Sequence, residues 1–364
     1  MGMGSIIQST PLLQTLKMNF PNAELVFITS ASNKKLLEEI HVVDSIWLIR
    51  DDGFLSLISS MMKLLRNFFN KRIDIYLDLE VYSYFSTVLT AMSHARKKFG
   101  LYRLNDRIRS GVYGELMYYS SRVPVSEVYL QMSRSIPAEK NIEMLYPFPQ
   151  LHNGVDGLNL HGIQSPFIVV NVNASELRVE RRWGTDNFSS LINQLAEKFP
   201  DHTFVLSGVK NESSYVNEVI RQIQPTHRHR IIDVSSKLSI KEFMQLLSRC
   251  DLMITNDSGP MHLAFALNIR VVALFGPCSP EQYKISEKAV VIYQNVYCSP
   301  CVHLFLKPPC GGDNQCMKKI SVERVRVTVE NLLSGSNTSK EFMSNGHPDF
   351  IDTQGRPLGI MRRN

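Results

Sequence analysis

Apolar runs of strand length alternate with longer amphipathic runs along most of this chain, and that alternation restricts its fold more than any other feature. A hydrophobic period of two that gives way to a helical period and back is the signature of βαβ units, in which parallel strands are joined by helices crossing the sheet. The class is therefore α/β. In the first half, residues 24–28, 45–48 and 73–77 are expected as strands, with helices over 11–20, 34–40, 54–69 and 82–93. Thr10 followed by Pro11 suits an N-cap and first helical position, since proline lacks only a donor that would be orphaned there. The second half is more regular, with strands expected at 167–172, 203–207, 231–234, 252–255 and 271–275. Helices near 188–199, 214–224, 240–249 and 261–267 separate them, and Ser239 with Glu242 has the spacing of a capping box.

A chain of 364 residues exceeds what one core usually serves, which predicts two domains, 1–150 and 151–333. The segment 137–166, punctuated by Pro147, Pro149, Gly154, Gly157 and Gly162, lacks a clear period and is expected to connect them. Residues 334–364 turn polar and glycine-rich and are expected as a disordered tail. Elsewhere the 44% apolar and 20% charged content excludes disorder. There is no run of about 18 uncharged apolar residues and no basic-then-apolar start, so a cytoplasmic protein is expected.

The net charge is +6, and Arg96, Lys97, Lys98, Arg103, Arg107 and Arg109 stand against a single Asp106. Such a patch attracts phosphates or an anionic membrane surface, as in peripheral contact with an inner membrane. A solvated basic face without a partner explains the same residues. Nucleic acid is not expected, because no recognition motif accompanies the patch.

The segment Thr255-Asn256-Asp257-Ser258-Gly259-Pro260-Met261-His262-Leu263-Ala264 sits where a strand ends and a helix begins, the position at which open parallel sheets bind ligands. Gly259 permits close backbone approach, and the helix N-terminus offers unpaired N–H groups to an anion such as a diphosphate. Asp257 could accept hydrogen bonds from sugar hydroxyls, and Ser258 and His262 share a helix face. Simple helix capping by Asp257 and Ser258 would account for the same pattern.

Asn173-Ala174-Ser175 ends the first strand of this half, and Arg181-Arg182-Trp183 follows. A guanidinium beside a strand end can neutralise charge growing on a departing diphosphate. One or both arginines could equally be surface residues, and Trp183 a core residue. Ser207-Gly208 leads to Glu212, which could hold ribose hydroxyls or open a solvated helix.

Cys298-x2-Cys301-x8-Cys310-x5-Cys316 has spacing suited to a structural zinc site, and a cytoplasmic setting disfavours disulfides. Cys250 and Cys278 are expected as small buried residues.

Taken together, the segments Asn256 to His262 with Phe275-Gly276-Pro277, Arg181-Arg182-Trp183, and Thr10-Pro11-Leu12-Leu13 resemble glycosyltransferase family 9, the lipopolysaccharide heptosyltransferases. The resemblance runs from the N-terminus to about Leu333 and implies a GT-B fold, two Rossmann-like domains facing across a cleft. It further implies inverting transfer of a heptose from ADP-heptose to a lipopolysaccharide core or lipid-linked acceptor, with no catalytic metal. By position, Asp257, Ser258, Gly259, His262 and Arg181 or Arg182 would contact donor sugar and diphosphate, Asn173 and Ser175 would flank them, and Glu212 would meet the nucleoside.

The N-terminus departs from the family pattern. Members open with an apolar strand and a glycine-rich turn ending in an aspartate proposed as general base. Here the chain opens Met1-Gly2-Met3-Gly4-Ser5, so that strand is absent and Ser5 stands at the aspartate's position. An unassisted serine hydroxyl is no base near neutral pH. A non-catalytic nucleotide-sugar-binding protein is the alternative this motivates, and a nucleotide-sugar epimerase is a third reading.

Overall fold

The computed structural model describes residues 1–103, 107–136, 139–146, 162–174, 176–302, 304–305 and 307–335. The chain divides into two compact units, Met1–Phe148 with Glu281–Lys284, and Pro149–Pro280 with Ile285–Asn364.

The first unit contains β1 (Val26–Ser30), β2 (Ser45–Ile49), β3 (Ile75–Leu77), β4 (Lys97–Tyr102) and β5 (Glu115–Tyr118). Its helices are α1 (Met3–Asn19), α2 (Lys34–Leu37), α3 (Phe54–Asn70), α4 (Tyr84–Met92), α5 (Arg107–Ser110) and α6 (Val125–Leu130). α1 begins well before the expected start and carries Pro11 in its interior. An interior proline forfeits the bond its N–H would make to residue i−4, here Ile7. The Thr10 hydroxyl takes that role, donating to the Ile7 carbonyl at 2.6 Å. Leu12 and Leu16 then pack against Leu79, Phe99, Leu101 and Val128, and this burial holds the helix despite the proline. The segment 139–146 straps α1 from outside, with Ile142 N donating to Thr15 Oγ1 and Tyr146 N to Thr10 Oγ1.

The expected basic patch is not one solvated face. Lys97–Tyr102 is strand β4, with Phe99 and Leu101 turned into the core. Arg109 is 1% exposed and donates to the carbonyls of Glu80, Leu101 and Ser83, with Asp78 at 3.6 Å. Burial raises the Asp78 carboxyl, an effect that Tyr113, the Glu80 amide, Ser86 and Arg109 only partly oppose. Arg96 pairs with Asp74, and Arg103 stacks on Tyr82. The sequence showed the charges but not that a strand and a buried arginine interrupt them.

The second unit contains β6 (Phe167–Asn171), β7 (Thr203–Leu206), β8 (Ile231–Asp233), β9 (Leu252–Asn256), β10 (Val271–Phe275) and β11 (Ala289–Tyr293). Around them lie α7 (Thr185–Lys198), α8 (Ser213–Gln222), α9 (Ile240–Arg249), α10 (Gly259–Ala266), α11 (Gln315–Lys318) and α12 (Val322–Leu333). All strand pairs are parallel, in the order β11-β10-β9-β6-β7-β8. Helices cover both faces, which is why β6, β9 and β10 read as continuous apolar runs. Trp183 is core: its indole N–H donates to Ile320 O at 2.8 Å and its ring meets Phe188 edge to face. The Ser239–Glu242 capping box forms as expected.

Placing the two strand orders side by side shows what the first unit lacks. Its strands form two separate sheets, β2-β1 and β3-β4-β5, both parallel. The order β8-β7-β6-β9-β10-β11 of the second unit matches β2-β1 and β3-β4-β5 of the first, with no counterpart of central strand β6 among the described residues. β1 and β3 are accordingly only half covered, whereas β6 and β9 are buried throughout. The architecture is Rossmann-like in both units.

Candidate functional site

Polar residues gather at the C-terminal ends of β6, β7 and β9, where the strand order of the second unit reverses direction. A crevice opens at such a point because the helices on either side leave in opposite directions. Asn171, the last residue of β6, donates to Thr255 Oγ1 at 3.0 Å and Ser258 Oγ at 2.9 Å, fixing the turn into α10. Asn256 accepts from Trp183 N and donates to the carbonyls of Val172 and Asn173. These side chains replace the ladder where β6 and β9 diverge.

Asp257 follows directly. Its side chain is 2% exposed, and Arg181 Nε lies 3.4 Å from Oδ2. Neither carboxylate oxygen accepts a well-formed hydrogen bond, and Asn173 Oδ1 and Ser207 Oγ are buried in the same condition. Buried polar atoms left without partners are costly, about 1–3 kcal/mol each, unless water or a ligand satisfies them. Helix capping does not explain Asp257 and Ser258: neither side chain caps α10, whose N-cap Ser258 makes no such bond.

Arg181 and Arg182, equivalent in sequence, separate here. Arg181 faces Asp257, while Arg182 lies over the Tyr215 ring at 4.4 Å and donates to Ala174 O. His262, one turn into α10, is buried, and that burial lowers its pKa to about 4, against the opposing pull of Asp257. It is a neutral imidazole at physiological pH.

Glu212 folds back to accept from Val209 N at 2.9 Å, closing the turn ahead of α8. Gly208 beside it allows a close approach: a Cβ there would stand 2.8 Å from Asn173 Nδ2, which would have to shift. Ser175 lies outside the described residues. Ser5 lies within α1 of the first unit, not in a turn, and its hydroxyl hydrogen-bonds that of buried Tyr129.

Two residues that shape the site escaped the sequence reading. Asn171 ends an otherwise apolar run, and a lone polar residue at a strand terminus was its available signal. Cys278 is buried as expected, but it also lies against Asp257 and Arg181; burial, then Asp257, raises its thiol pKa. No local pattern announces a contact between positions so separated.

The four clustered cysteines affect one another. Burial raises the Cys316 thiol to about 12, with Cys301, Cys298 and Cys310 adding to it, and burial likewise raises Cys298 and Cys301. Among the described residues, however, no group of three or more His, Cys, Asp or Glu side chains is placed to hold a metal ion. Nor is any helix among the described residues long and apolar enough to cross a membrane.

Comparisons with known proteins converge. The family model for glycosyltransferase family 9 (heptosyltransferase) matches residues 61–306, well over half of the chain. Lipooligosaccharide heptosyltransferase 2 of Campylobacter jejuni is 31% identical over 164 residues, which are 43% of this chain and 48% of that protein. The matched chain thus spans about half the length of that curated relative. Among solved structures, E. coli ADP-heptose lipopolysaccharide heptosyltransferase II superposes with a TM-score of 0.70 at 22% identity, covering 92% of this chain and 96% of that one. E. coli heptosyltransferase WaaC with ADP gives 0.71 at 14% identity, covering 91% and 97%. These structural likenesses establish the fold.

Proposed function

Because the chain belongs to glycosyltransferase family 9, the heptosyltransferase family, we propose that it transfers a heptose or related sugar from an ADP-sugar to a lipopolysaccharide core acceptor, with inversion at the anomeric carbon. The observation that carries this reading is the solvent-shielded Asp257 carboxylate beside Arg181 at the strand-order reversal, with both oxygens still able to accept. In the bound state Asp257 receives sugar hydroxyls. Arg181 holds the carboxylate with one edge of its guanidinium and turns its remaining donors toward the diphosphate. The N–H groups at the start of α10 face the same charge.

In mechanism, the acceptor hydroxyl attacks the anomeric carbon from the side opposite the diphosphate and gives up its proton to solvent water as the new bond forms. The bond to the nucleoside diphosphate breaks as Arg181 and the helix N-terminus take up its charge, which lowers the barrier because leaving-group charge develops in the transition state. Neutral His262 contributes shape and no charge, so it does not compete with Arg181 for the anion. On the family's pattern no catalytic metal is required. Adenine is supported by the neighbour solved with ADP. The acceptor is lipid-anchored in this reading, and the enzyme works at the cytoplasmic face of the inner membrane.

The second reading, a nucleotide-sugar-binding protein without transfer, rests on Ser5, which hydrogen-bonds Tyr129 from within a helix and offers no base. Nucleoside diphosphate release from ADP-heptose, measured with and without heptose-deficient lipopolysaccharide, decides between them. Acceptor-dependent release establishes transfer. Donor binding without release establishes the binding protein, and donor conversion without acceptor would instead indicate an epimerase.

A further inference from the structure

The outer face of α3 is apolar where a solvent-facing helix is ordinarily polar. Leu55, Ile58, Met62 and Phe69 are between 44% and 80% exposed. Their helical spacing places them on one side, opposite Ser60, Leu64 and Phe68, which are buried against the unit. The inner face is used by the core with Ile28, Trp47 and Tyr76, whereas Leu55, Ile58 and Met62 on the outer face belong to no core cluster of the described residues. α3 contains no Asp or Glu; its charged residues are Lys63 and Arg66, both exposed, with no ion pair or hydrogen bond among the described residues.

α4 continues the surface. It contains no charged residue, and it exposes Tyr84, Phe85 and Val88 while burying Leu89 in the same cluster as Leu64 and Phe68. The Phe69 ring at the end of α3 lies 5.1 Å from His94, just past α4. Two neighbouring helices therefore present apolar side chains outward, with cations as the unpaired charges of α3.

We propose that this face of α3 and α4 docks on an anionic phospholipid bilayer, with α3 lying in the plane of the interface. A helix bearing aromatic and aliphatic residues toward the acyl boundary and Lys or Arg beside them binds by apolar burial plus attraction to anionic headgroups. A second copy of the chain fits less well: a two-fold contact through this face would bring Lys63 and Arg66 against their own copies with no acid on either helix to pair them. The proposal deepens the reading of a lipid-anchored acceptor, since it brings the enzyme to the surface where that acceptor resides. It differs from the earlier expectation for residues 96–109, because apolar side chains rather than a basic run provide the contact.

The test is co-sedimentation of the full chain, without donor or acceptor, with vesicles of phosphatidylethanolamine and phosphatidylglycerol, and with phosphatidylcholine vesicles for comparison. Failure here is thus distinct from failure of transfer. The protein should partition to the anionic vesicles, and the double variant Ile58→Glu/Met62→Glu should lower partitioning by roughly tenfold or more, with an unchanged circular dichroism spectrum. In a separate Met62→Trp variant, brominated lipids should quench the added fluorescence. Absence of vesicle binding overturns the proposal. So does a concentration-dependent dimer abolished by the same double variant, which would assign the face to self-association.

Discussion

Arg181 Nε stands 3.4 Å from Asp257 Oδ2, and the carboxylate is more deeply buried than the guanidinium, 2% against 14% exposed. The arginine therefore reaches the site's edge while the aspartate forms its floor. Replacing Asp257 by Ala should reduce transfer by on the order of a hundredfold or more, because the sugar loses its acceptors. The fold should survive, since the carboxylate makes no well-formed hydrogen bond to lose. A variant with full activity by diphosphate release would refute the assignment of the site.

The two adjacent arginines should behave differently. Arg181→Ala should lower turnover strongly and destabilise the protein by about 1–3 kcal/mol, because it leaves the Asp257 carboxylate buried beside no cation. Adding Asp257→Ala should recover most of that stability in a double-mutant cycle. Arg182→Ala removes the stack on Tyr215 and should cost about 1 kcal/mol with turnover nearly unchanged. Denaturation midpoints and donor-dependent rates, measured on both variants, check the contrast; equal losses of turnover would contradict it.

The strand-to-helix junction that carries the proposed donor site was legible in the sequence, because such junctions in a parallel sheet leave a local mark. Asp257, Ser258, Gly259 and His262 follow an apolar run and open a helix with Pro260 in its first turn. What could not be read was which of two consecutive arginines turns inward, since that depends on the non-helical backbone at Arg178 within the segment leading to them. Cys278 escaped for a similar reason, reaching Asp257 only through the loop after β10. In the fold, β4 was hidden because charged Arg96, Lys97 and Lys98 precede its apolar residues, and β11 because its short run is bounded by no strong turn signal. α1 was started too late because Pro11 was given its usual place at a helix start, whereas Thr10 supplies the hydrogen bond that lets the helix begin earlier.

His262 makes stability depend on pH in a defined direction. Its folded pKa, about 4, lies below the ordinary value of 6.5 because burial disfavours the charged ring. The unfolded chain therefore binds a proton that the native state excludes, and stability falls as pH drops from about 6.5 toward 4. The loss is on the order of 3 kcal/mol across that window. His262→Gln should remove this component, so the difference in unfolding free energy between variant and wild type should narrow as pH falls. A difference independent of pH would show that the imidazole titrates normally.

The cysteine segment yields a chemical prediction. The thiols of Cys298, Cys301 and Cys316 are raised by burial and by one another, so they remain protonated near neutral pH. Zinc binding would have to displace those protons and draw the side chains together. Metal analysis of protein purified without chelator tests the expectation from spacing: less than about a tenth of an equivalent of zinc counts against it. Half-buried Cys298 and Cys310 should react with a thiol reagent well before buried Cys301 and Cys316. Stoichiometric zinc, with all four thiols protected, would reverse this.

The gap in the first unit's sheet has a measurable consequence. Among the described residues β1 bonds only to β2 and β3 only to β4, so each leaves one edge of backbone N–H and C=O groups without a strand partner there, whereas β6 is bonded on both sides by β7 and β9. Edge groups exchange and pair readily. In hydrogen exchange, the amides of Val26–Ser30 and Ile75–Leu77 that face away from β2 and β4 should exchange orders of magnitude faster than those of Phe167–Asn171. Met1 lies close to both edges: Asn33, just past β1, donates to its carbonyl at 3.0 Å, and its amino group pairs with Glu80, just past β3. An extended apolar segment of about five residues joined ahead of Met1 can therefore run back between them. That extension should slow exchange on both edges together and raise the denaturation midpoint. Protection equal to that of β6 in the unextended protein would show instead that the two sheets close on each other.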